Sequence, residues 1–114
     1  MAITRLKRSH RISKEFFADH DVVLTPTLSL TTPELGWLNP SQSYETVMGR
    51  ILEWVSFTPL QNATGDPAIS LPMGTTSTGL PIGVQMAAAQ GYDRRLLEIA
   101  YELEEAQPFA RIQD

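Results

Sequence analysis

The chain has 114 residues, no cysteine, a net charge of −4 at pH 7, and an ordinary composition of 42% hydrophobic, 19% charged and 8% aromatic residues. That length suits one domain over residues 1–114 and excludes two large ones; the composition excludes a disordered or fibrous chain. Without cysteine there is no disulfide framework, no thiolate nucleophile and no sulfur-ligated zinc, and the acidic balance excludes a general polyanion-binding role.

Charge is unevenly spread. Residues 1–20 carry Arg5, Lys7, Arg8, Arg11 and Lys14 against Glu15 and Asp19, and residues 98–105 carry Glu98, Glu102, Glu104 and Glu105. The basic patch lacks the length and interleaved aromatics of a nucleic-acid groove and reads as a solvated helix face. No apolar run reaches the span of about 18 residues that a membrane helix needs. No apolar stretch backs the basic N-terminus either, so no signal peptide is expected. Cytoplasmic residence, with no membrane and no nucleic-acid partner, is the expectation.

The first element is a helix over 4–19, where Leu6, Ile12, Phe16 and Phe17 give an interrupted apolar stripe. Asp21–Leu28 holds a β-branched run that Pro26 ends or places at an edge. Residues 29–43, with Pro33, Gly36 and Pro40, read as a long loop. Val47, Met48, Ile51, Leu52 and Val55 recur at helical spacing and predict a second helix over 44–56, stopped by Pro59. Residues 57–67 read as a turn-rich loop in which Gly65 can take positive φ. Ala68–Leu71 and Ile82–Ala87 are strands joined by a linker too short for a parallel crossover, which predicts a hairpin. Asp93 is the expected N-cap of a last helix buried through Leu96, Ile99, Ala100 and Leu103. Arg94 and Arg95 each stand within reach of Glu98 on its surface.

Helix, strand, helix, hairpin, helix is an α/β or α+β order, with a small mixed or antiparallel sheet covered by helices. Both hairpin strands are nearly continuous apolar runs, the pattern of strands covered on both faces. Three strands leave little material to flank them.

Local chemistry is sparse. Ser70 is not in a Gly-x-Ser-x-Gly elbow and reads as a strand hydroxyl bonded to a neighbouring carbonyl. His10 reads as a helix-surface residue. His20 lies between Asp19 and Asp21, which can tune an imidazole, but no serine is tied to it by spacing. The histidines and carboxylates show no ligand spacing, so neither a metal nor a cofactor is expected. Gly83, inside a strand, signals a bulge or a close approach, with neighbouring protein favoured over a ligand. The segment from Phe57 to Pro67 is the most specific local feature, a polar turn system feeding a strand, which reads first as a self-hydrogen-bonded connection and alternatively as a cleft lining.

The ordered run Phe57-Thr58, Asn62, Thr64-Gly65, Pro67-Ala68-Ile69-Ser70-Leu71-Pro72, Gly74 and Gly79-Leu80-Pro81-Ile82-Gly83-Val84-Gln85-Met86 resembles the C-terminal part of the amidase signature family. The similarity continues through Asp93, Leu96-Leu97, the Glu102 region and Gln107-Pro108-Phe109, and upstream through Asp21–Thr27, so it spans about residues 18–110. The family commonly has proline at the position of Leu60, whereas Pro59 lies one earlier here, and Gln61 replaces a commonly apolar residue. The resemblance implies amide hydrolysis by a serine nucleophile, a second serine in a cis peptide, and a lysine, all carried by a Gly/Ser-rich region. No Gly-Gly-Ser-Ser-Gly-like stretch occurs here, and the two lysines, Lys7 and Lys14, precede the matched segment. The resulting expectation is an α/β chain with a partial mixed β-sheet and covering helices, the C-terminal portion of the amidase fold. It would have no catalytic residues of its own, and Phe57, Thr58, Gln61 and Asn62 would form a substrate-cleft wall. Such a chain would be inactive alone and would self-associate or pair with an amidase catalytic half. The alternative is a non-catalytic assembly or binding subunit.

Overall fold

The computed structural model describes residues 2–110, with side chains from residue 8 onward, so Arg5, Leu6 and Lys7 lie outside the described side chains. The elements are α1 (Ala2–Phe16), β1 (Val22–Pro26), α2 (Tyr44–Trp54), α3 (Pro59–Thr64), β2 (Ala68–Thr75), β3 (Pro81–Ala88) and α4 (Asp93–Ala106).

The strands form one sheet in the order β1-β3-β2, and β3 pairs antiparallel with both neighbours. Of the mixed and antiparallel sheets that the element order left open, the antiparallel one forms, and the mixed sheet expected from the family resemblance is corrected to it. The short link from Thr75 to Pro81 leaves no room for a parallel crossover between β2 and β3, and β1 joins the other edge of β3 antiparallel after the long connection through α2 and α3. The expectation that both hairpin strands are internal holds for β3 only. β2 is an edge, which is why it tolerates Pro72 within its length, next to a register shift between Pro72 and Gly74. That irregularity carries the strand on to Thr75, past its expected end at Leu71. The hairpin turns through Thr76, whose Oγ1 accepts from the backbone N–H groups of Thr78 and Leu80 at 3.3 and 3.0 Å. Gly79 sits there at φ 86°, a conformation that strains any side-chain-bearing residue.

Pairing fixes which side chains share a face. Leu24, Met86 and Ile69 face one way with Val22, Ala88, Val84 and Leu71. This is the apolar face, and α4 lies on β2 and β3 there. Leu71, Met86, Ala88 and Leu96 form the core, packed by Val22, Ile69, Met73, Ile99, Ala100, Leu103 and Phe109. The stripe read for the last helix is thus confirmed. Its cap is not: Tyr92 occupies the N-cap position without a side-chain bond, and Asp93 is the first helical residue, where its charge suits the helix dipole. Arg94 pairs with Glu98 at 2.7 Å, whereas Arg95 turns to Asp21 and lies over the Tyr92 ring.

Two boundaries moved for local reasons. α2 ends at Trp54, before Pro59 can act, because the Ser56 hydroxyl lies 3.0 and 2.9 Å from the carbonyls of Leu52 and Glu53 and serves the helix end in place of a further turn. The expected loop at 57–67 contains α3, with Pro59 at its first helical position and Gly65 at φ 75° closing it. Both residues suit those roles, so a short helix fits between them.

The loop over 29–43 is held to α2. Arg50 donates to the Trp37 carbonyl and to Gln42 Oε1, and its guanidinium stands 5.3 Å from the centre of the Trp37 ring. Gln42 Nε2 donates to the Gly36 carbonyl at 3.0 Å, and Ser29 N–H donates to the Trp54 carbonyl at 3.0 Å. α2 makes no extensive contact with the sheet. This set-apart unit raises the radius of gyration to 16.6 Å, against about 13 Å for a compact chain of this length.

Candidate functional site

The second face of the sheet carries Val23, Ala87 and Ala68 at one end and becomes polar toward the other. Thr25 on β1, Gln85 on β3 and Ser70 on β2 lie abreast. One step along, Thr27 donates its backbone N–H to the Gly83 carbonyl at 3.0 Å and continues the ladder beyond β1. Gln85 is buried, and its Nε2 donates to Thr25 Oγ1 at 3.4 Å and to Gln61 Oε1 of α3 at 3.3 Å. A buried amide needs such partners, because its unmet desolvation would cost about 1–3 kcal/mol.

The Thr27 and Ser70 hydroxyls meet at 2.7 Å, although their segments flank β3 on opposite sides. Adjacent strands lie about 4.8 Å apart, so the two side chains must bridge the central strand. Gly83 makes the bridge possible. A Cβ there would stand 2.8 Å from Thr27 Oγ1 and 3.2 Å from both Ser70 Oγ and Thr27 Cβ. The close approach read from Gly83 is thus an approach of neighbouring protein, made by both edges at once.

Beside the bridge opens a cleft of about 520 Å³ lined by residues 27–32, 70–72 and 81–83. Its lining sets leucine, isoleucine and proline side chains among the hydroxyl residues Thr27, Ser29, Thr31, Thr32 and Ser70. An apolar hollow with a few convergent polar groups is the usual form of a small-molecule site.

The sequence-chosen wall residues are only partly brought together. Gln61 joins the polar face through Gln85. Phe57 and Thr58 are half-buried ahead of α3, Thr58 at its N-cap without a side-chain bond, and Asn62 is exposed. None of the four lines the cleft beside Thr27 and Ser70. Thr25, Thr27, Ser70 and Gln85 were not selected from the sequence. Their signal was strand parity: Thr25 and Thr27 are two apart, as are Gly83 and Gln85, so each pair shares a face.

Neither imidazole serves these hydroxyls. His10 Nδ1 donates to the Thr64 carbonyl at 3.0 Å, and His20 Nδ1 donates to the Phe16 carbonyl at 3.0 Å while its ring stacks on Phe16. The partner of Ser70 is a hydroxyl, not the carbonyl expected. Among the described residues, no cluster of three or more His, Asp or Glu side chains is arranged to hold a metal ion. No helix among them is long and apolar enough to cross a membrane.

Fold and site together define a small helix-covered antiparallel sheet with a cleft beside the Thr27–Ser70 hydroxyl pair. The sequence profile of the family described as Amidase matches residues 1–97, and the chain belongs to that family. It is 53% identical over 112 residues to the protein named "Putative amidase AmiC" of Mycobacterium leprae, an alignment covering 98% of this chain and 24% of that one. It is 36% identical to the 6-aminohexanoate-cyclic-dimer hydrolase of Pseudomonas sp., covering 87% of this chain and 21% of that one. A solved structure of 6-aminohexanoate cyclic dimer hydrolase superposes with a TM-score of 0.81 at 35% identity, over 94% of this chain and 24% of that one. A glutamyl-tRNA(Gln) amidotransferase chain from Thermotoga maritima superposes with a TM-score of 0.67 at 30% identity, over 93% of this chain and 22% of that one. The chain therefore spans about a quarter of the length of the relatives it matches.

These matches correct the reading taken from the sequence. The family match starts at residue 1, so the first helix with Lys7 and Lys14 lies inside it, not ahead of it. Position relative to the match therefore no longer excludes either lysine. The description of the chain as a C-terminal portion without catalytic residues is withdrawn. So are the inactive segment, the pairing with a separate catalytic half, and the non-catalytic assembly subunit. In their place stands membership of the amidase family across residues 1–97.

Proposed function

We propose that this protein acts in the hydrolysis of amides, with the cleft beside Thr27 and Ser70 holding the substrate and Gln61 supporting the polar side chains next to it through Gln85. The observation that carries this reading is the family match over residues 1–97. The TM-score of 0.81 against 6-aminohexanoate cyclic dimer hydrolase supports it. Release of ammonia or amine from simple aliphatic and aromatic amides by the purified protein is the test. Turnover that falls in Ser70→Ala or Thr27→Val is expected, and a complete lack of turnover on the amide panel overturns the reading.

Within the wall, Gln61 is the residue whose contact reaches the polar face. Gln61→Ala frees Gln85 Nε2 and is expected to raise KM with little change in kcat, the sign of lost uniform binding. Phe57, Thr58 and Asn62 do not line that cleft, so their alanine variants are expected to raise KM less. We place residence in the cytoplasm as part of the same proposal, with cell fractionation as its check.

A further inference from the structure

Where α1 packs against α3, beside Val23 of β1, the structure leaves a second hollow of about 380 Å³. That size falls within the range of small-molecule sites, about 300–1,000 Å³. The hollow shares no lining residue with the cleft beside Thr27 and Ser70. Ile12, Phe16, Phe17, Val23 and Leu60 supply its apolar wall. Three of these are open to solvent: Ile12 is 50%, Phe16 40% and Leu60 56% exposed. An apolar ligand body seated there would remove such surface from water, which is favourable in proportion to the area covered.

Asp66 is the single charged side chain in the lining. The Ser13 hydroxyl donates to its Oδ2. Among the described residues no other side chain bonds the carboxylate, and none of their ion pairs includes it. Lys14 and His10 line an adjoining hollow that also meets Asp66. Lys14 makes no ion pair with it, and His10 Nδ1 is engaged by the Thr64 carbonyl at 3.0 Å. The other polar neighbours are committed to protein as well. The Thr64 hydroxyl donates to the Leu60 carbonyl at 3.1 Å, and Gln61 Oε1 accepts from Gln85 at 3.3 Å. What the hollow lacks is a cationic donor for Asp66. Phe17 lines the same space, and an aromatic face also attracts a cation. We infer that this hollow binds a primary ammonium carried on an apolar body, an alkyl- or arylalkylamine in its protonated form. The ammonium would meet Asp66, and the body would lie against Ile12, Phe16 and Leu60. A neutral alcohol of the same length forms no charge-assisted bond there, and a carboxylate is repelled. The inference does not rest on the amide reading.

The experiment is a binding titration of the purified protein at pH 7 and fixed ionic strength, followed by NMR amide shifts. The probes are hexylammonium, 1-hexanol and hexanoate. Hexylammonium is expected to bind about tenfold more tightly than 1-hexanol, the factor that a hydrogen bond to a charged group supplies at the low end of its range. Hexanoate should bind more weakly than either. The shifts should centre on Ile12, Phe16, Phe17 and Leu60. Asp66→Asn should abolish the preference for the ammonium while weak binding of 1-hexanol persists. Leu60→Lys, at an exposed rim position, places a bulky cation at the mouth of the hollow and should abolish binding of both. Spectra of the unliganded variants report whether each is folded, and Leu60→Lys carries the test if Asp66→Asn is not. Equal affinity for hexylammonium and 1-hexanol overturns the inference. So does a preference that survives Asp66→Asn, binding that survives Leu60→Lys, or a set of shifts centred on another part of the molecule.

Discussion

Replacing Gly83 by alanine isolates the bridge from the rest of the fold. Glycine within a strand is ordinarily a weakness, and alanine would be expected to gain about 0.5–1 kcal/mol. Here the added methyl meets Thr27 Oγ1 at 2.8 Å and both Ser70 Oγ and Thr27 Cβ at 3.2 Å. A hydroxyl can swing aside, but Thr27 Cβ is fixed to its backbone and cannot. Relief requires the backbone after β1 to shift away from β3, which loads the bond from Thr27 N–H to the Gly83 carbonyl. Overpacking of this kind costs about 1–3 kcal/mol, and loss of the hydroxyl bond adds about 1 kcal/mol. After subtracting the glycine term, Gly83→Ala should lose about 1–3 kcal/mol in a urea titration. Thr27→Ala removes the nearest obstructing atom, so Gly83→Ala should cost less in that background, with a coupling above about 0.5 kcal/mol. Equal or greater stability in Gly83→Ala, or a cycle without coupling, refutes the account.

Other outcomes follow from the packing. Leu71→Ala removes a side chain only 6% exposed in the core beneath α4 and should lose about 2–4 kcal/mol by urea unfolding; a loss under about 1 kcal/mol would mean that the sheet face is not the core. Val84→Ala, on the same face but half-buried, should lose clearly less than Leu71→Ala in the same titration. Ser43→Ala deletes the N-cap bond to Thr46 N–H and should lose about 0.5–2 kcal/mol, read as faster hydrogen exchange across α2. Arg50→Met removes the bonds to the Trp37 carbonyl and Gln42. It should expose Trp37 and red-shift tryptophan emission, and an unchanged spectrum would show that the 29–43 loop is held by other contacts.

Much of the architecture was legible because it is written locally. The apolar spacing of Leu96, Ile99, Ala100 and Leu103 has the period of a helix face, and those residues pack on the sheet as that period requires. Pro26 marked the end of β1, and the short 72–81 link demanded a hairpin. The misjudged boundaries have local causes too. Ser56 ends α2 through side-chain bonds that hydropathy does not register, and α3 is too short to show a period.

The site was less legible, since its members come from three separate segments. The residues in chain order were enough for the family, the hairpin, the helical faces and the presence of a strand glycine that needs close neighbours. It took the assembled sheet to make β3 the central strand and to supply those neighbours as hydroxyls from both edges, Thr27 and Ser70. The physical reason is that strand order and register are long-range choices. Residues 43 positions apart become partners only when a third strand without a side chain lies between them. No pattern within either segment encodes that meeting.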